Sequence, residues 1–579
     1  MKALLLSILF NSLFLPIYAD VNEKRSKPVI QSATNGFAKS DTKGDGRPIT
    51  DLDVELSSCL YKKIGGEYYK RENIKNGIDI SIYTLSGDAV YLNLRDGKSY
   101  SDPMLSKEST DDSDKLNRAI QDAAAEGVPL ILEAKSYKIS SVLKLANNAQ
   151  IKGVKGVTKI IIDNTFKKGV GFPKNEAAIV NEHVQTVYDA ATADKISLDG
   201  IIIESVVNRP SIITTQILLA NVKSGIIENC KFIKNTPVAT TNLDLYAAVK
   251  NFSIKYSDFI NHTKATYGGC IWIRSRTRVP SKIENATENI SVYKCNFSKS
   301  SSDEVISVFS RLGHLRNVSI THCSIKVSNY SVPNVMTVLN WIDNSTPFAV
   351  VEDVEIAYNT FNISNFGNGG VIVVNQKGST KNKISRVKIH GNVIYAATRN
   401  KVTSVIKAVN SENLIDCTVA NNKIYNTASE RPINYAISGF EKVTDNEIQG
   451  PFSFGIHSSK IVNGNTIKDG KFVGLYNCSQ IIGNKVYDVR EGIRIDAFNK
   501  YDENIRMSSN VFKLIDDSRS RGIFSSGNKK LNINSSNDNF EIENSSSILF
   551  DIQGVVKLTA PVVRKGKGVL HAKRTRILQ

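Results

Sequence analysis

The sequence predicts an all-β fold in which short strands wind into a stack of coils, and three observations lead to it. An Asn- or Gly-rich turn followed by an apolar residue recurs from about residue 225 onward, at intervals of about 20 to 40 residues. Apolar and polar residues alternate before each turn, as in a strand with one buried face. A helical pattern precedes the repeat. Because a single coil cannot bury its apolar face alone, the coils must stack on one another.

The recurring turn phrase defines the coils. Asn is frequent in the turns, where it tolerates left-handed backbone and can hydrogen-bond to the same residue of the next coil. The apolar residue that follows the turn is called the marker here. The markers fall at Phe232, Phe259, Phe297, Ile325, Phe361, Ile394, Ile424, Ile448, Ile467, Val486, Phe512 and Phe540.

The cysteines gain meaning from this alignment. Cys295 and Cys323 hold the same place in consecutive phrases, two residues before the marker, and Cys230 holds it in an earlier phrase. The pattern indicates a buried ladder of small residues, and a disulfide between neighbouring coils is the alternative. The seven cysteines are odd in number and form no metal-spaced cluster.

Residues 111–139 read as a helix followed by a strand. Leu116, Ala119, Ile120 and Ala123 follow helical spacing, and Gly127 ends the pattern. A helix near residues 112–126 can cover the open N-terminal end of the coil stack, whose edge strand would otherwise recruit another chain.

From Asp111 to Phe540 the sequence resembles the right-handed parallel β-helix proteins of the pectate-lyase-like superfamily, which includes phage-tailspike-type and bacterial exopolysaccharide depolymerases. The resemblance rests on the Asp-Asp-led helix, the Gly and Leu-Ile…Tyr strand after it, and the repeat. It implies a single-stranded right-handed parallel β-helix, a solenoid, with an N-terminal capping helix. The superfamily includes lyases, hydrolases, epimerases and esterases, so the resemblance leaves the reaction open.

Composition divides the chain into five segments. Residues 1–19, with Lys2 before an apolar run of roughly 13 residues, predict a cleavable signal peptide and hence a secreted or periplasmic protein. Residues 20–50 read as a flexible leader, 51–105 as a small N-terminal β element, 106–540 as the β-helix, and 541–579 as a C-terminal segment with a basic tail. No apolar run reaches the ~20 residues that cross a bilayer, so no transmembrane segment is expected.

The chain is basic, because 74 Lys and Arg stand against 56 Asp and Glu and give a formal net charge of +18. This surplus favours a polyanionic partner, and export favours an acidic polysaccharide over nucleic acid. A solvated, Lys-rich surface without a partner is the alternative. A homotrimer is left open but is not indicated, because tailspikes need a C-terminal trimerisation region and only 39 residues follow the last phrase.

The strands that start at Cys270, Val305 and Val335 predict the first candidate site. Alternate residues point inward, so Trp272 and Phe309 should point outward. Aromatic rings on such a face either lie under a loop or stack on sugar rings, while Arg pairs with carboxylates. The predicted substrate-binding residues are Trp272, Arg274, Arg276, Arg311 and Trp341.

Carboxylates gather in the same coils. Asp303 and Glu304 precede the second of these strands, and Asp343 follows the third. Coils lie ~4.8 Å apart, so acids on neighbouring coils can reach the ~5 to 10 Å separation of glycosidase pairs. We therefore predict these three residues as catalytic, with solvated side chains or turn caps as the alternative interpretation.

A second candidate patch consists of Glu491, Arg494 and Asp496, which alternate outward around Ile493 and Ile495. His314 and His457 stand alone and are interpreted as structural. The sequence has no metal-ligand spacing, phosphate loop or Ser-His-Asp order. We therefore predict no metal and no cofactor, with Ca²⁺ left open in case the protein is a lyase.

The predicted function is that of an exported polysaccharide-processing enzyme, which binds and cleaves an acidic bacterial capsule or exopolysaccharide. The Asp and Glu residues suit a glycoside hydrolase, whereas the Arg residues and the basic charge suit a polysaccharide lyase. A non-catalytic β-helix, in exopolysaccharide assembly or as a surface adhesin, is the rival prediction. A C5-epimerase is a further alternative, and no motif decides among them.

Overall fold

The computed structural model describes five strands before residue 110 and the chain from residue 110 to 578. Within the latter, the description omits residues 173–174, 185–193, 208–214, 236–240, 262–268, 277–285, 300–303, 329–331, 341–348, 365, 377–382, 398–403, 412–413, 429–431, 497–503, 527–530, 560–562, 568 and 572–574. The predicted signal peptide, 1–19, lies outside the described residues.

The chain divides into two compact units, of which residues 1–82 and 93–98 form the first. Its strands Phe37–Lys39, Glu67–Arg71 and Tyr61–Ile64 pair antiparallel in that order. Ala89–Asn93 and Lys98–Asp102 form a two-stranded sheet. Among the described residues, four strands thus lie in the segment predicted as a small β element, 51–105, and one lies in the predicted leader.

The second unit is a coil stack in which each coil contributes a strand to three parallel sheets, numbered in chain order. Sheet 1 contains Leu143–Leu145, Asn175–Asn181, Thr215–Ala220, Thr241–Ala247, Ile271–Arg276, the first part of Ile306–Thr321, Val332–Asn340, Phe366–Gln376, Ser404–Val409, Ile433–Ser438, Phe452–His457, Val473–Tyr476, Glu491–Ile495, Arg521–Ser525, Ile548–Asp551 and Val569–His571. Sheet 2 contains Leu130–Ile131, Gln150–Lys152, Asp194–Asp199, Val222–Glu228, Lys250–Lys255, Thr287–Tyr293, the second part of Ile306–Thr321, Ala349–Ala357, Lys383–His390, Leu414–Ile415, Thr418–Ala420, Lys442–Thr444, Ile461–Asn463, Gln480–Ile482, Asn504–Ser508, Leu531–Ser536, Gly554–Leu558 and Thr575–Leu578. Sheet 3 contains Ser136–Ile139, Lys159–Ile162, Ile202–Ser205, Lys231–Lys234, Asp258–Asn261, Asn296–Lys299, Ser324–Val327, Thr360–Ile363, Val393–Ala396, Lys423–Asn426, Glu447–Gln449, Thr466–Lys468, Lys485–Val489, Val511–Leu514, Asn539–Ile542 and Val563–Gly566. One antiparallel strand, Val170–Phe172, pairs with Asn175–Asn181.

The markers occupy one column of sheet 3. Each pairs in register with the marker of the next coil, and all are buried in one hydrophobic core. The rings of Phe232 and Phe259 stack with centroids 4.7 Å apart. The repeat therefore predicted the coils correctly, and the fold is a right-handed parallel β-helix.

Buried Asn side chains form a hydrogen-bonded ladder in the turns that lead into sheet 3. Each Nδ2 donates to the Oδ1 of the next coil's Asn at 2.8 to 3.0 Å. The ladder ends at Asp538, whose carboxylate accepts from Asn510 and, at 2.6 Å, from Ser535 Oγ. These hydrogen bonds between equivalent side chains fix the register in which neighbouring coils pair. The members are Asn359, Asn392, Asn422, Asn446, Asn465, Asn484, Asn510 and Asp538.

The cysteines occupy the same column earlier in the chain. Cys230, Cys295 and Cys323 are buried and free, in positions equivalent to the ladder Asn residues. Cys323 N donates to Asn359 Oδ1 at 2.9 Å, so the two kinds of residue join directly. The predicted ladder of small residues is confirmed for these coils.

The capping helix, α1 (Ser113–Ala125), covers the N-terminal end of the core with Leu116, Ala119, Ile120 and Ala123, as the spacing predicts. The carboxylate of Asp111 links the start of this helix to the chain at Ser140, because it accepts hydrogen bonds from Ser113 N at 3.0 Å and from the hydroxyl group of Ser140. Burial would raise the pKa of Asp111, but hydrogen bonds from both serines outweigh it and hold the pKa below its usual range.

The C-terminal segment, 541–579, was predicted to follow the β-helix, but its described strands pair with those of the β-helix. Val563–Gly566 pairs in parallel with Asn539–Ile542, and Thr575–Leu578 pairs in parallel with Gly554–Leu558. The β-helix therefore continues past residue 540, because the open end of each sheet offers unpaired backbone groups to the next segment. In the described part of the chain, no helix combines the length and apolar character that crossing a membrane requires.

Candidate functional site

The first predicted site lies on sheet 1, and its strands alternate as expected. Ile271 and Ile273 are fully buried in the core, whereas Trp272 and Phe309 are half-buried on the outward side. A Cβ at Gly269 would lie 2.7 Å from Trp272 Nε1 and 2.9 Å from the carbonyl oxygen of Glu304. The backbone around Glu304 is therefore close to the Trp272 ring.

Arg274 is engaged within the protein. Its side chain is 7% exposed and pairs with the fully buried Asp244, through Nε to Oδ1 at 2.7 Å and through Nη2 to Oδ2. The guanidinium also lies 4.6 Å from the Tyr246 ring centroid and 4.8 Å from that of Trp272. The charge that was predicted to bind substrate is thus neutralised by a carboxylate on the preceding coil.

The other members of this site are described only in part. Asp303, Asp343 and Trp341 lie outside the described residues, as does the side chain of Arg276. Glu304 and Arg311 are half-buried. The catalytic assignment of Asp303, Glu304 and Asp343 therefore stays a prediction.

The second predicted patch lies on sheet 1 nearer the C-terminus, where four successive strands repeat a motif of the form x-Gly-(Ile/Leu)-x. The motifs are Phe454–His457, Val473–Tyr476, Glu491–Arg494 and Arg521–Phe524. The glycine faces the core, since a Cβ at Gly492 would lie 2.8 Å from Phe512. The backbone bends there, so the residues on both sides of the Gly-Ile pair face outward.

This bend corrects the expected alternation. Gly492 and Ile493 both face the core, which leaves Glu491 outward together with Arg494 and Asp496. In register, Glu491 lies between Val473 and Arg521 of the adjacent coils. Strict alternation would have placed Glu491 on the same side as Ile493.

Arg494 connects the two carboxylates of the patch. Its Nη1 lies 3.7 Å from Glu491 Oε2, and its Nε lies 3.2 Å from Asp496 Oδ1. Given the size of a guanidinium, the two carboxylates are at most about 9 Å apart, within the range covered by glycosidase pairs. The three side chains are 15%, 31% and 20% exposed for Glu491, Arg494 and Asp496, so solvent reaches each of them.

The pKa values of the two carboxyl groups are shifted in opposite directions. Burial raises the pKa of Glu491 and outweighs the opposing charges of Arg494 and Arg490, and the charge of Asp496 makes a smaller contribution that also raises it. Burial would also raise the pKa of Asp496, but hydrogen bonds from Ser526, Tyr476 and Arg494 outweigh it and leave the pKa below its usual range. Paired carboxyl groups with separated pKa values are typical of an acid and a base.

An aromatic strip adjoins the patch on the same sheet. The rings of Tyr435 and Phe454 stack at 5.1 Å, and His457 stacks between Tyr435 at 4.5 Å and Tyr476 at 4.8 Å. Tyr476 Oη donates to Asp496 Oδ2 at 2.6 Å, so the strip and the patch are one continuous surface. Burial, followed by the bond to Asp496, raises the pKa of Tyr476.

The strip continues past the patch, because the guanidinium of Arg494 lies 5.4 Å from the ring centroid of Phe524. Sequence reasoning missed these aromatic residues and interpreted His457 as isolated. The repeated x-Gly-(Ile/Leu)-x motif is the signal that could have aligned them. The described residues contain no group of three or more His, Cys, Asp or Glu that could hold a metal ion.

Comparison with known proteins bears on the fold. No protein-family model and no curated protein matches the chain. A double mutant of the tailspike protein of E. coli bacteriophage HK620, in complex with a pentasaccharide, is similar at 11% identity and a TM-score of 0.46, over 85% of this chain and 84% of that chain. An exopolygalacturonase from Thermotoga maritima is similar at 9% identity and a TM-score of 0.31, over 79% of this chain and 88% of that chain. At these identities the likeness concerns the fold alone.

Proposed function

We propose that the protein is a glycoside hydrolase that cleaves an acidic polysaccharide, with Glu491 and Asp496 as its acid and base. The observation that carries the proposal is the pair of carboxyl groups on one guanidinium, with pKa values shifted apart. A protonated Glu491 would donate to the leaving glycosidic oxygen. An ionised Asp496 would activate a water molecule or attack the sugar carbon directly.

The aromatic strip supports a sugar polymer as substrate. Tyr435, Phe454 and Tyr476 offer rings on three successive coils about 4.8 Å apart, and Phe524 offers another two coils beyond Tyr476, which suits a chain bound parallel to the coil axis. Arg494 and the net charge of +18 support an acidic polymer. Secretion or periplasmic export, as the first residues predict, would bring the enzyme to such a polymer.

Hydrolysis accounts for these residues better than a lyase reaction does. A lyase needs a free base beside the uronate, and Arg494 is held by two carboxylates. Tyr476 keeps its proton to high pH, because its pKa is raised. The shifts of the two acids favour the roles that hydrolysis needs, because a raised pKa keeps Glu491 protonated and a lowered pKa keeps Asp496 ionised.

The test is a cleavage assay on alginate, polygalacturonate, hyaluronate and purified bacterial capsules, following chain length, reducing ends and ultraviolet absorbance together. We expect new reducing ends without new absorbance. Glu491→Gln and Asp496→Asn should each lower the rate by about 10²- to 10⁴-fold while the polymer still binds. Glu441→Gln, which alters an exposed ion pair with Lys460 on the surface, is the matched control.

The outcomes separate the alternatives. Shortening with new absorbance would indicate a lyase and refute the assigned roles. Binding without shortening would favour the assembly or adhesin function. If Asp303→Asn, Glu304→Gln or Asp343→Asn abolishes cleavage while Glu491→Gln does not, the first predicted site is the catalytic one.

A further inference from the structure

A ridge of aromatic side chains lies along the turns between sheets 2 and 3, whereas the proposed catalytic surface lies on sheet 1. It consists of Tyr256, Tyr293, His322, Tyr358 and His390, one from each of five consecutive coils. Successive ring centroids are 5.9, 5.4, 5.2 and 5.3 Å apart. Tyr256 and Tyr358 are 44% and 55% exposed, so these rings are not core residues.

Three ridge residues occupy a backbone position that is unfavourable for them. Tyr256, His322 and Tyr358 have φ angles of 49°, 59° and 57°, in the left-handed region that bulky side chains rarely adopt. Other described coils place a small turn-forming residue at the equivalent position: Gly200, Asn229, Gly391, Asn421, Asp445, Gly464, Gly483, Ser509 and Asn537. The turn itself therefore needs no aromatic ring, and each one adds strain of about 1 kcal/mol or more.

Exposure and strain together point away from a purely structural role. Folding gains little from a half-exposed ring, and contiguous exposed aromatic surface marks binding sites on soluble proteins. The Tyr358 ring packs closely against Gly391 of the next coil, where a Cβ would lie 2.7 Å from the ring. His390 is positioned by Glu355, at 2.9 Å from Nε2 to Oε1.

Two lysines beside the first coils of the ridge favour an anionic ligand there, whereas the carboxylate of Glu355 lies against His390 at the other end. Lys255 pairs in register with Tyr293, and the ammonium group of Lys294 lies 5.2 Å from the Tyr293 ring centroid. Lys294 also occupies the turn position between Tyr256 and His322, with a φ of 51°. Four consecutive coils thus present Tyr, Lys, His and Tyr where the others present small residues.

We propose that this ridge is a second polysaccharide-binding site, which holds an acidic chain parallel to the coil axis over a length of about 19 Å. Sugar faces would stack on the rings, and carboxylates would pair with Lys255 and Lys294. The identity of the polymer rests on the proposed function. The ridge would keep the enzyme on the polymer between cleavage events.

The test replaces three ridge residues by the residue that this chain uses elsewhere at the same turn position. The triple variant Tyr256→Asn, His322→Asn and Tyr358→Asn should keep or raise the Tm, because the strain is relieved. Its affinity for alginate, polygalacturonate or hyaluronate, measured by gel retardation in a Glu491→Gln background, should fall at least tenfold. The control is Tyr395→Asn with Tyr425→Asn, a stacked pair on sheet 3 whose centroids are 5.2 Å apart.

Three results would overturn the inference: unchanged retardation of the triple variant, an equal loss in the control, and no retardation of the intact chain by any of the three polymers. A short oligosaccharide, which cannot reach the ridge from sheet 1, should be cleaved equally by the intact chain and the triple variant. Ridge-dependent binding without any cleavage would refute the proposed hydrolase and leave the ridge in place as a binding site.

Discussion

Two arginines on sheet 1 occupy similar outward positions and have different surroundings. Arg274 is 7% exposed, lies beside the rings of Tyr246 and Trp272, and pairs with Asp244, which is fully buried. Arg494 is 31% exposed and lies between Glu491 and Asp496, which solvent also reaches. Both arginines are surrounded by the carboxylates and aromatic rings that are expected of a polysaccharide-binding site.

The difference shows that accessibility decides which cluster can bind a ligand. Around Arg274 the polar residues Asn242 and Asp244 are fully buried, whereas the rings of Trp272 and Phe309 beside them are half-exposed. Around Arg494 most outward residues from Tyr435 to Phe524 are half-exposed, and Val473 is a buried exception. A buried ion pair stabilises little overall but is sensitive to loss of one partner, whereas an exposed one is free to rearrange around a substrate.

The largest expected effect comes from breaking the buried pair. Arg274→Met should destabilise the protein by about 3 to 5 kcal/mol, because it leaves Asp244 buried without its partner. Arg494→Met should change stability by less than about 1 kcal/mol and mainly reduce cleavage. Urea denaturation of both variants measures the difference. Equal destabilisation would contradict the comparison.

A smaller effect is expected in the column of buried Asn and Cys residues in the turns that lead into sheet 3. Asn484→Ala removes an amide that donates to Asn510 Oδ1 at 3.0 Å and accepts from Asn465, and should cost about 1 to 3 kcal/mol. Cys295→Ala, at the equivalent position of an earlier coil, should cost less, because its Sγ makes only long contacts such as 3.6 Å to Ile254 O. Chemical denaturation of the two variants compares the coils directly. A larger loss for Cys295→Ala would show that the ladder matters less than the packing.

The pH profile of cleavage sharpens the contrast between the two carboxyl groups of the patch. The raised pKa of Glu491 keeps the acid protonated to higher pH, and the lowered pKa of Asp496 keeps the base ionised to lower pH. We expect a plateau in kcat/KM that is wider than two exposed carboxyl groups would give. Ser526→Ala should move only the acidic limb upward, since Ser526 lowers the pKa of Asp496. An unchanged acidic limb would argue against Asp496 as the base.

The smallest effect is expected at the end of the ladder. Burial raises the pKa of Asp538, so the folded state binds its proton more tightly than the unfolded state. The contribution of Asp538 to folding stability is therefore fully present at pH values below its pKa in the unfolded chain. It is lost as the pH rises through its pKa in the folded chain. Asp538→Asn should remove this pH dependence and be slightly more stable at neutral pH, as thermal unfolding between pH 3 and 8 would show. A strongly destabilised variant would mean that Asn510 needs the charged acceptor.

The sequence predicted the fold well because the residues that determine this fold form local, periodic patterns along the chain. Each marker from Phe232 to Phe540 is an apolar residue after a turn, and stacking identical units leaves one way to bury them. The helix pattern around Leu116 and Ile120 likewise required no knowledge of distant contacts. The end of the β-helix was predicted too early, since Val563–Gly566 continues sheet 3 without an apolar marker.

The sites were less predictable because they depend on distances between coils. Trp272 and Arg274 were correctly placed on an outward face, but the sequence did not reveal that Asp244, one coil earlier, neutralises the charge. The patch of Glu491, Arg494 and Asp496 was found by its pattern, whereas its aromatic neighbours were not. His457 contacts Tyr435 and Tyr476, which are 22 and 19 residues away in the chain.

The sequence alone determined the coil stack, the capping helix, the inward and outward faces of most strands and the residue types available for chemistry, because hydrophobic periodicity acts over short stretches of chain. The tertiary structure decided which outward residues are covered, which charges are neutralised and which rings line up. Loop length varies from coil to coil, and neighbours across coils are 19 to 41 residues apart in the chain. Burial, and with it the pKa values of Glu491 and Asp496, is set only when those coils come together.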